Sequence, residues 1–393
     1  MDKRLLVLAL GMFALGTDSF VVAGVLPQIS HTFAVPIGVA GQMTTIYAIT
    51  YALLAPTIAA LAAGVQRKRL LLWSLILFVL ANVGTAVAPT YAIAMATRVL
   101  AGVSAAMFAP TATGAAALLV APERRGFALS VVIAGLSGST ALGTPIGAVI
   151  GDLGDWRWTM AFVAGLAALA GLGVWTMLPE VPMPPKISLK QRLVPLADPR
   201  IGLTLLTTLL TMSGIFTVYT YFTVAFDRVI GGNAVVLGTL LVLWGLAGTF
   251  SNLLAGRLID VIGNRKVIFL MLAILVIDTA LLPWASSNLW TAAVAIAIWG
   301  GCGWGYLVPQ QHRLVSVAPQ IAPVVLGLNT SCSYLGVSAG GVIGAIGIQT
   351  VDAHHLGFVG AALIILAFVA AELAGRKISA ASSVKGNSAL ASA

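Results

Sequence analysis

The sequence predicts an all-α membrane protein of twelve transmembrane helices, arranged as two pseudo-symmetric six-helix bundles, and three observations carry that prediction. Hydrophobic residues make up 59% of the 393 and charged residues 8%, a balance that no soluble domain sustains. The apolar stretches reach helix length, about 20 residues, and lack the ten-residue alternation of a membrane barrel. Lysine and arginine collect in the breaks between alternate stretches, as the topology of a multi-span protein demands.

Taken in order, charge, proline and turn residues delimit spans at residues 5–28, 38–63, 70–88, 91–120, 127–151, 158–178, 201–226, 234–255, 267–285, 289–311, 321–350 and 356–373. The opening Met1-Asp2-Lys3-Arg4 imitates a signal peptide. The apolar run, however, passes Asp18 to reach Leu26 without a small-residue cleavage site, so it reads as a retained first helix. An even span count puts both termini on one side. With that side cytoplasmic, 18 of the 21 basic residues lie inside, only Arg157 and Arg228 lie outside, and Arg98 falls within a span; the bias fixes the orientation. Trp73, Trp156, Trp158, Trp175, Trp284 and Trp290 mark span ends as interfacial anchors.

The chain thus divides into a first bundle (1–178), a cytoplasmic linker (179–200), a second bundle (201–375) and a tail (376–393) whose serine, alanine and glycine predict disorder. Within the linker Leu189, Leu193 and Leu196 have helical spacing among Lys190 and Arg192, predicting a short helix on the membrane surface. Gly102 and Pro110 recur as Gly301 and Pro309 at one offset, and the glycines of the fifth span are echoed by Gly340 and Gly344. This is the mark of a duplicated transporter with its site between the halves.

Several functions are excluded. No phosphate-binding loop, metal-ligand spacing or soluble catalytic pair occurs, so neither an enzyme nor a cofactor or metal site is expected. The net charge of +9 is spread over small loop clusters, which topology explains and nucleic-acid binding does not. Cys302 and Cys332 lie in spans and read as packing residues. His31, His312, His354 and His355 fall in loops or at span ends, so a proton crossing the membrane must ride on a carboxylate.

Asp18 and Asp278 are the mid-span acids and Arg98 the mid-span base. Charges in a span are expensive and mark function by default; Asp18 and Arg98, on separate helices, can neutralise each other, and the alternative is an ion pair that merely joins helices. Pro283 and Trp284 place Asp278 near the outer surface. Thr204, Thr207, Thr208, Thr211 and Tyr219 form one polar face of the seventh span. Such a face lines a water-filled cavity or bonds its own helix and neighbours, and both readings stay open. Trp244, Trp299 and Trp304 lie away from the interfaces, where they wall a site for flat amphiphiles or pack. Gly135, Gly138, Gly143, Pro145, Gly147 and Gly151 give the fifth span close approach and a kink, which suits a moving interface between halves.

Together these motifs resemble the major facilitator superfamily, and within it the twelve-span drug:proton antiporter group that includes chloramphenicol-resistance and sugar-efflux proteins. Gly16-Thr17-Asp18-Ser19-Phe20 through Leu26-Pro27 is similar to the first-span motif, which often has Glu where Asp18 stands. Arg98-Val99-Leu100-Ala101-Gly102 is similar to the fourth-span motif whose arginine is implicated in proton coupling. Gly143-Thr144-Pro145 with Gly147 and Gly151 resembles the antiporter motif. Gly256 to Lys266, with Asp260, Gly263 and Arg265, resembles the cytoplasmic gating motif; the matching loop, Ala62 to Arg69, lacks the family's acid, so a latch would rely on Asp260.

The resemblance implies an inner-membrane, multi-pass, monomeric antiporter with a site between the first, fourth, seventh and tenth spans. Thr17, Phe20, Met107, Thr207, Thr211, Tyr219, Trp299 and Trp304 are its expected lining. Its expected partners are a small-molecule substrate, protons and the lipid bilayer, and its energy source is the proton gradient. Phenicol-type drugs are the first expectation; a sugar or nucleoside exporter shares every motif, and an importer or a membrane-embedded sensor or enzyme differs in flux.

Overall fold

A computed structural model of the chain describes residues 2–181 and 187–391, with side chains except those of Ala63, Pro122 and residues 382–391. Among the described residues, twelve helices are long and apolar enough to span a membrane. They are α1 Lys3–Phe33, α2 Ile37–Leu61, α3 Arg67–Ala86, α4 Tyr91–Ala116, α5 Arg125–Leu153 and α6 Trp156–Met177, then α7 Pro199–Tyr219, α8 Ala234–Ile262, α9 Asn264–Ala285, α10 Leu289–Val317, α11 Pro319–Val351 and α12 Ala353–Ala381.

Polar residues start many of these helices by accepting from otherwise unpaired backbone N–H groups. Asp2, Thr90, Asp155, Asp198, Asn233 and Asn288 cap α1, α4, α6, α7, α8 and α10 in this way. In α5, Pro145 has no N–H to offer and its ring crowds the preceding turn. The helix answers with a π-helical turn over Ser139–Gly143 just before it, the local widening that such a site invites.

Each half repeats one packing scheme. In the first, α1 packs on α5 and α6, α2 on α4, and α3 on α4 and α6. In the second, α7 packs on α11 and α12, α8 on α10, and α9 on α10 and α12. The halves meet through α2 against α11 and α5 against α8. At the end distal to the N-terminus they are sealed around Tyr221, whose hydroxyl donates to the Gly341 carbonyl at 2.7 Å and the Gly38 carbonyl at 3.3 Å. Gln42 Nε2 donates to Gly38 and Gly341 as well, at 2.9 and 3.4 Å. Gly41 is needed here, since a β-carbon on it would stand 2.6 Å from the Tyr221 ring.

Several sequence expectations change. The helix of the seventh span ends at Tyr219, and the run to Phe226 continues as a separate short turn over Phe222–Ala225. Trp156 is no lipid anchor: it is buried, packed 5.7 Å from Phe33 with its indole N–H donating to Thr32 at 3.0 Å. Trp73, Trp158, Trp175, Trp284 and Trp290 are exposed on the bundle surface. The glycines of the α5 motif do not line the seam between halves. They form a ladder against α1, with Gly143 opposite Thr17, Gly147 opposite Val21 and Gly151 opposite Val25. It is Thr140 and Ala141, one turn earlier, that press on Gly245 of α8 in the other half.

Residues 182–186 of the linker, Lys186 included, lie outside the described residues. After them a short helix, Leu189–Leu193, opens on a capping box of Ser188 and Gln191, and Arg192 donates to the Ala59 carbonyl at 3.2 Å. The final helix runs Leu356–Ala391, so helical backbone covers most of the tail expected to be disordered. The alanines after Arg376 favour such an extension.

Candidate functional site

The first helix owes its inward placement to its sequence: every residue from Ala14 through Leu26 is buried, and the helix packs on α5, α6 and the second half. An acid at position 18 therefore cannot turn to solvent and must find a partner inside the protein. Arg98 of α4 supplies it. Arg98 Nη1 lies 2.6 Å from Asp18 Oδ1, both side chains are fully buried, and Nη2 donates to the Asp18 carbonyl at 3.3 Å. The guanidinium also sits over the Tyr47 ring of α2, 4.8 Å from its centroid, a cation–π contact strengthened by desolvation. Asp18 Oδ2 and Arg98 Nε have no hydrogen-bond partner among the described residues, so the pair is engaged on one edge only.

Sequence reasoning missed what surrounds this pair. Ser19 donates to the Leu15 carbonyl at 2.9 Å, lies 3.0 Å from the Tyr47 hydroxyl, and stands 3.5 Å from the Tyr334 hydroxyl of α11. Tyr334 in turn stacks on Tyr51, ring centroids 4.1 Å apart. A chain of side chains thus runs from the ion pair in one half to a tyrosine of the other. The available signal was Tyr47 and Tyr51 at i, i+4, which share one face of α2.

The remaining expected residues divide. Phe20, Tyr219, Trp299 and Trp304 do come together, with Phe20 6.1 Å from Tyr219 and 5.6 Å from Trp304, and Tyr219 6.3 Å from Trp299. Trp244 completes the group, 4.4 Å from Tyr219. Thr17 is buried and gives its hydroxyl to the Phe13 carbonyl at 2.8 Å. Thr207 and Thr211 are fully buried and donate to the Leu203 and Thr207 carbonyls, while Thr208 bonds Asn329 of α11 at 2.8 Å. The hydroxyls of Thr204, Thr207 and Thr211 thus bond their own helix, and Thr208 ties α7 to α11. Met107 is half-buried on α4.

Asp278 is buried within the bundle, at 7% exposure, and its Oδ2 has no partner among the described residues. In the gating motif, Gly263 turns the chain between α8 and α9 at φ 87°, a backbone region that glycine alone enters freely. Gly256, Asp260 and Lys266 are exposed. Arg265 pairs with Glu372 of α12, within its own half, at 2.8 Å. Among the described residues, no group of three histidine, cysteine, aspartate or glutamate side chains could hold a metal ion.

Two six-helix bundles of matching internal packing, the first of them holding a fully buried charge pair, define the class of membrane transporters built from repeats. Comparison with known proteins makes the class specific: the profile described as Major Facilitator Superfamily matches residues 8–341, and the chain belongs to that family. It is a multi-pass membrane protein. It is 26% identical to the uncharacterized MFS-type transporter YbcL of Bacillus subtilis (strain 168), over 94% of this chain and 95% of that protein. It is 28% identical to the inner membrane transport protein YdhP of Escherichia coli (strain K12), over 92% and 94%. With a probable sugar efflux transporter of Helicobacter pylori (strain ATCC 700392 / 26695) it shares 29%, over 93% of each chain.

Proposed function

We propose that the protein exports small amphiphilic compounds across the inner membrane in exchange for protons, phenicol-type antibiotics among them, with both termini in the cytoplasm. In that orientation the seal around Tyr221 closes the outer end, and the structure corresponds to an inward-facing or occluded stage of alternating access. The supporting observation is the Asp18–Arg98 pair, fully buried and half-satisfied. Exclusion of water favours the protonated acid and the guanidinium favours the ionised one, so a change of access to Asp18 is enough to load or release a proton. Rearrangement of the halves supplies that change, and Ser19, Tyr47 and Tyr334 connect it to the pair. The protein acts as a monomer, and no cofactor takes part beyond the proton gradient.

The test is Asp18→Asn in proteoliposomes, with proton movement followed as chloramphenicol is added. The expected result is loss of drug-driven proton flux with drug binding retained; undiminished coupling would sink the assignment. A second reading, export of a sugar or nucleoside, is favoured by the sugar-efflux name of the Helicobacter relative. A flux panel of chloramphenicol, glucose, arabinose and uridine separates the two.

A further inference from the structure

Five aromatic side chains, part of a larger set of rings that includes Phe216, Phe222 and Phe226, meet where α1, α7, α8 and α10 converge, and their polar atoms are left open in an uncommon way. Phe20 comes from the first half, whereas Tyr219, Trp244, Trp299 and Trp304 come from the second. Trp244 is the hub, 4.4 Å from Tyr219, 5.9 Å from Trp299 and 5.5 Å from Trp304. All but Trp304 are at most 4% exposed, and Nε1 of each of the three indoles is buried with no hydrogen-bond partner among the described residues. The hydroxyls of Tyr219 and of Thr144 in α5 also lack a partner of hydrogen-bond geometry among the described residues.

An indole N–H can only donate, and leaving such a group buried and unpaired costs about 1–3 kcal/mol. Phenylalanine at the same places would give the packing without that cost, so the indoles call for acceptors that they do not meet in this arrangement, although Asn252 Oδ1, on the small cavity beside Trp304, is also buried and unpaired. No lysine, arginine, aspartate or glutamate belongs to the cluster. The nearest charges along α1 and α4 are Asp18 and Arg98, which neutralise each other. The adjoining cavity, lined by Leu136, Ser137, Thr140, Thr249, Asn252 and Trp304, measures about 30 Å³. That is room for a single water, so a substrate is admitted only when the halves part and withdraw Phe20 from the other four rings.

We infer that this cluster is the recognition surface for substrate, and that it selects neutral ring compounds carrying carbonyl, nitro or ether oxygens. The inference rests on the transporter reading above and narrows it. Ring faces bind the flat part of the molecule, and the indole N–H groups receive its acceptor oxygens. A cation would gain from the ring faces but would leave every indole donor unanswered. An unsubstituted sugar brings a donor with each hydroxyl, and the cluster has few acceptors to meet them.

The test is equilibrium binding to the purified full-length protein in nanodiscs, for wild type, Trp244→Phe and Trp299→Phe. The probes are chloramphenicol, its analogue with hydrogen in place of the nitro group, tetraphenylphosphonium and glucose. Wild type is expected to prefer chloramphenicol to the other three. Each Phe variant, which keeps the ring and loses the N–H, should weaken chloramphenicol about 3- to 10-fold, matching the net worth of one hydrogen bond. Unchanged chloramphenicol affinity in both Phe variants, or tighter wild-type binding of tetraphenylphosphonium or glucose, would overturn the inference; the wild-type panel decides even where a variant fails to fold. Binding in the predicted order without flux in proteoliposomes would instead count against the transporter reading and leave the recognition surface standing.

Discussion

Removing Arg98 should damage the fold and the proton cycle by different routes, and a pair of substitutions separates them. In Arg98→Met the Asp18 carboxyl keeps its buried position but loses the 2.6 Å contact, and the Asp18 backbone carbonyl loses the bond from Arg98 Nη2. Breaking a fully desolvated pair in this way costs about 3–5 kcal/mol, because the remaining charge is uncompensated. Asp18→Leu alone should cost a similar amount, leaving the guanidinium on the Tyr47 ring without its anion. The double variant Asp18→Leu/Arg98→Met removes both charges from the apolar interior, and paired hydrophobic replacements of this kind are often close to neutral. Unfolding of the detergent-solubilised protein by denaturant should therefore show both single variants destabilised and the double variant within about 1 kcal/mol of wild type. Proton-coupled flux should be absent from all three. Flux surviving in the stable double variant would refute the proton role. A double variant as unstable as the singles would refute the electrostatic account of its burial.

Three further outcomes follow from particular contacts. Tyr334→Phe keeps the stack on Tyr51 but removes the hydroxyl that stands 3.5 Å from Ser19; stability should change by less than about 1 kcal/mol, while the rate of coupled exchange falls and equilibrium drug binding is retained. Gly245→Ala would place a β-carbon 2.4 Å from the Thr140 carbonyl oxygen, so the α5–α8 seam must open at a cost of about 1–3 kcal/mol, read as lowered stability and slower disulfide cross-linking between cysteines placed on the two helices. Asp198, the N-cap of α7, is held below its ordinary 3.8 by the hydrogen bonds of Arg200. A carboxylate with a lowered folded pKa stabilises above its unfolded value and loses that contribution as pH falls through the folded one. Asp198→Ala should thus cost about 0.5–2 kcal/mol at neutral pH, and the difference from wild type should shrink as pH drops below 3.8.

Much of the architecture was legible because bilayer thickness and charge leave a strong imprint on composition. All twelve spans, the linker and its short helix stand in the chain as helical periodicity and basic clusters. What stayed hidden depends on which face a helix turns. Trp156 has the position of an anchor and the burial of a core residue, a distinction made by Phe33 and Thr32 from a distant part of the chain. The threonines of α7 have the spacing of a cavity wall, yet their hydroxyls reach back to carbonyls four residues earlier. At the site, Asp18 and Arg98 announced themselves because a charge in a span is costly wherever it points. Tyr334 gave no such signal, being one uncharged side chain in the run from Asn329 to Ser338 until α11 is packed on α2.

The glycine ladder of α5 holds α1 in place on either side of Asp18. Gly143, Gly147 and Gly151 seat Thr17, Val21 and Val25, the residues on either side of Asp18, so α1 and α5 interlock like a bolt in its keeper at the level of the acid. Neither sliding nor turning of α1 within its half is open without unseating three side chains at once. The carboxyl is thus a fixed post in a revolving door: in the proposed exchange cycle, water and substrate would be brought to Asp18 by the other wall.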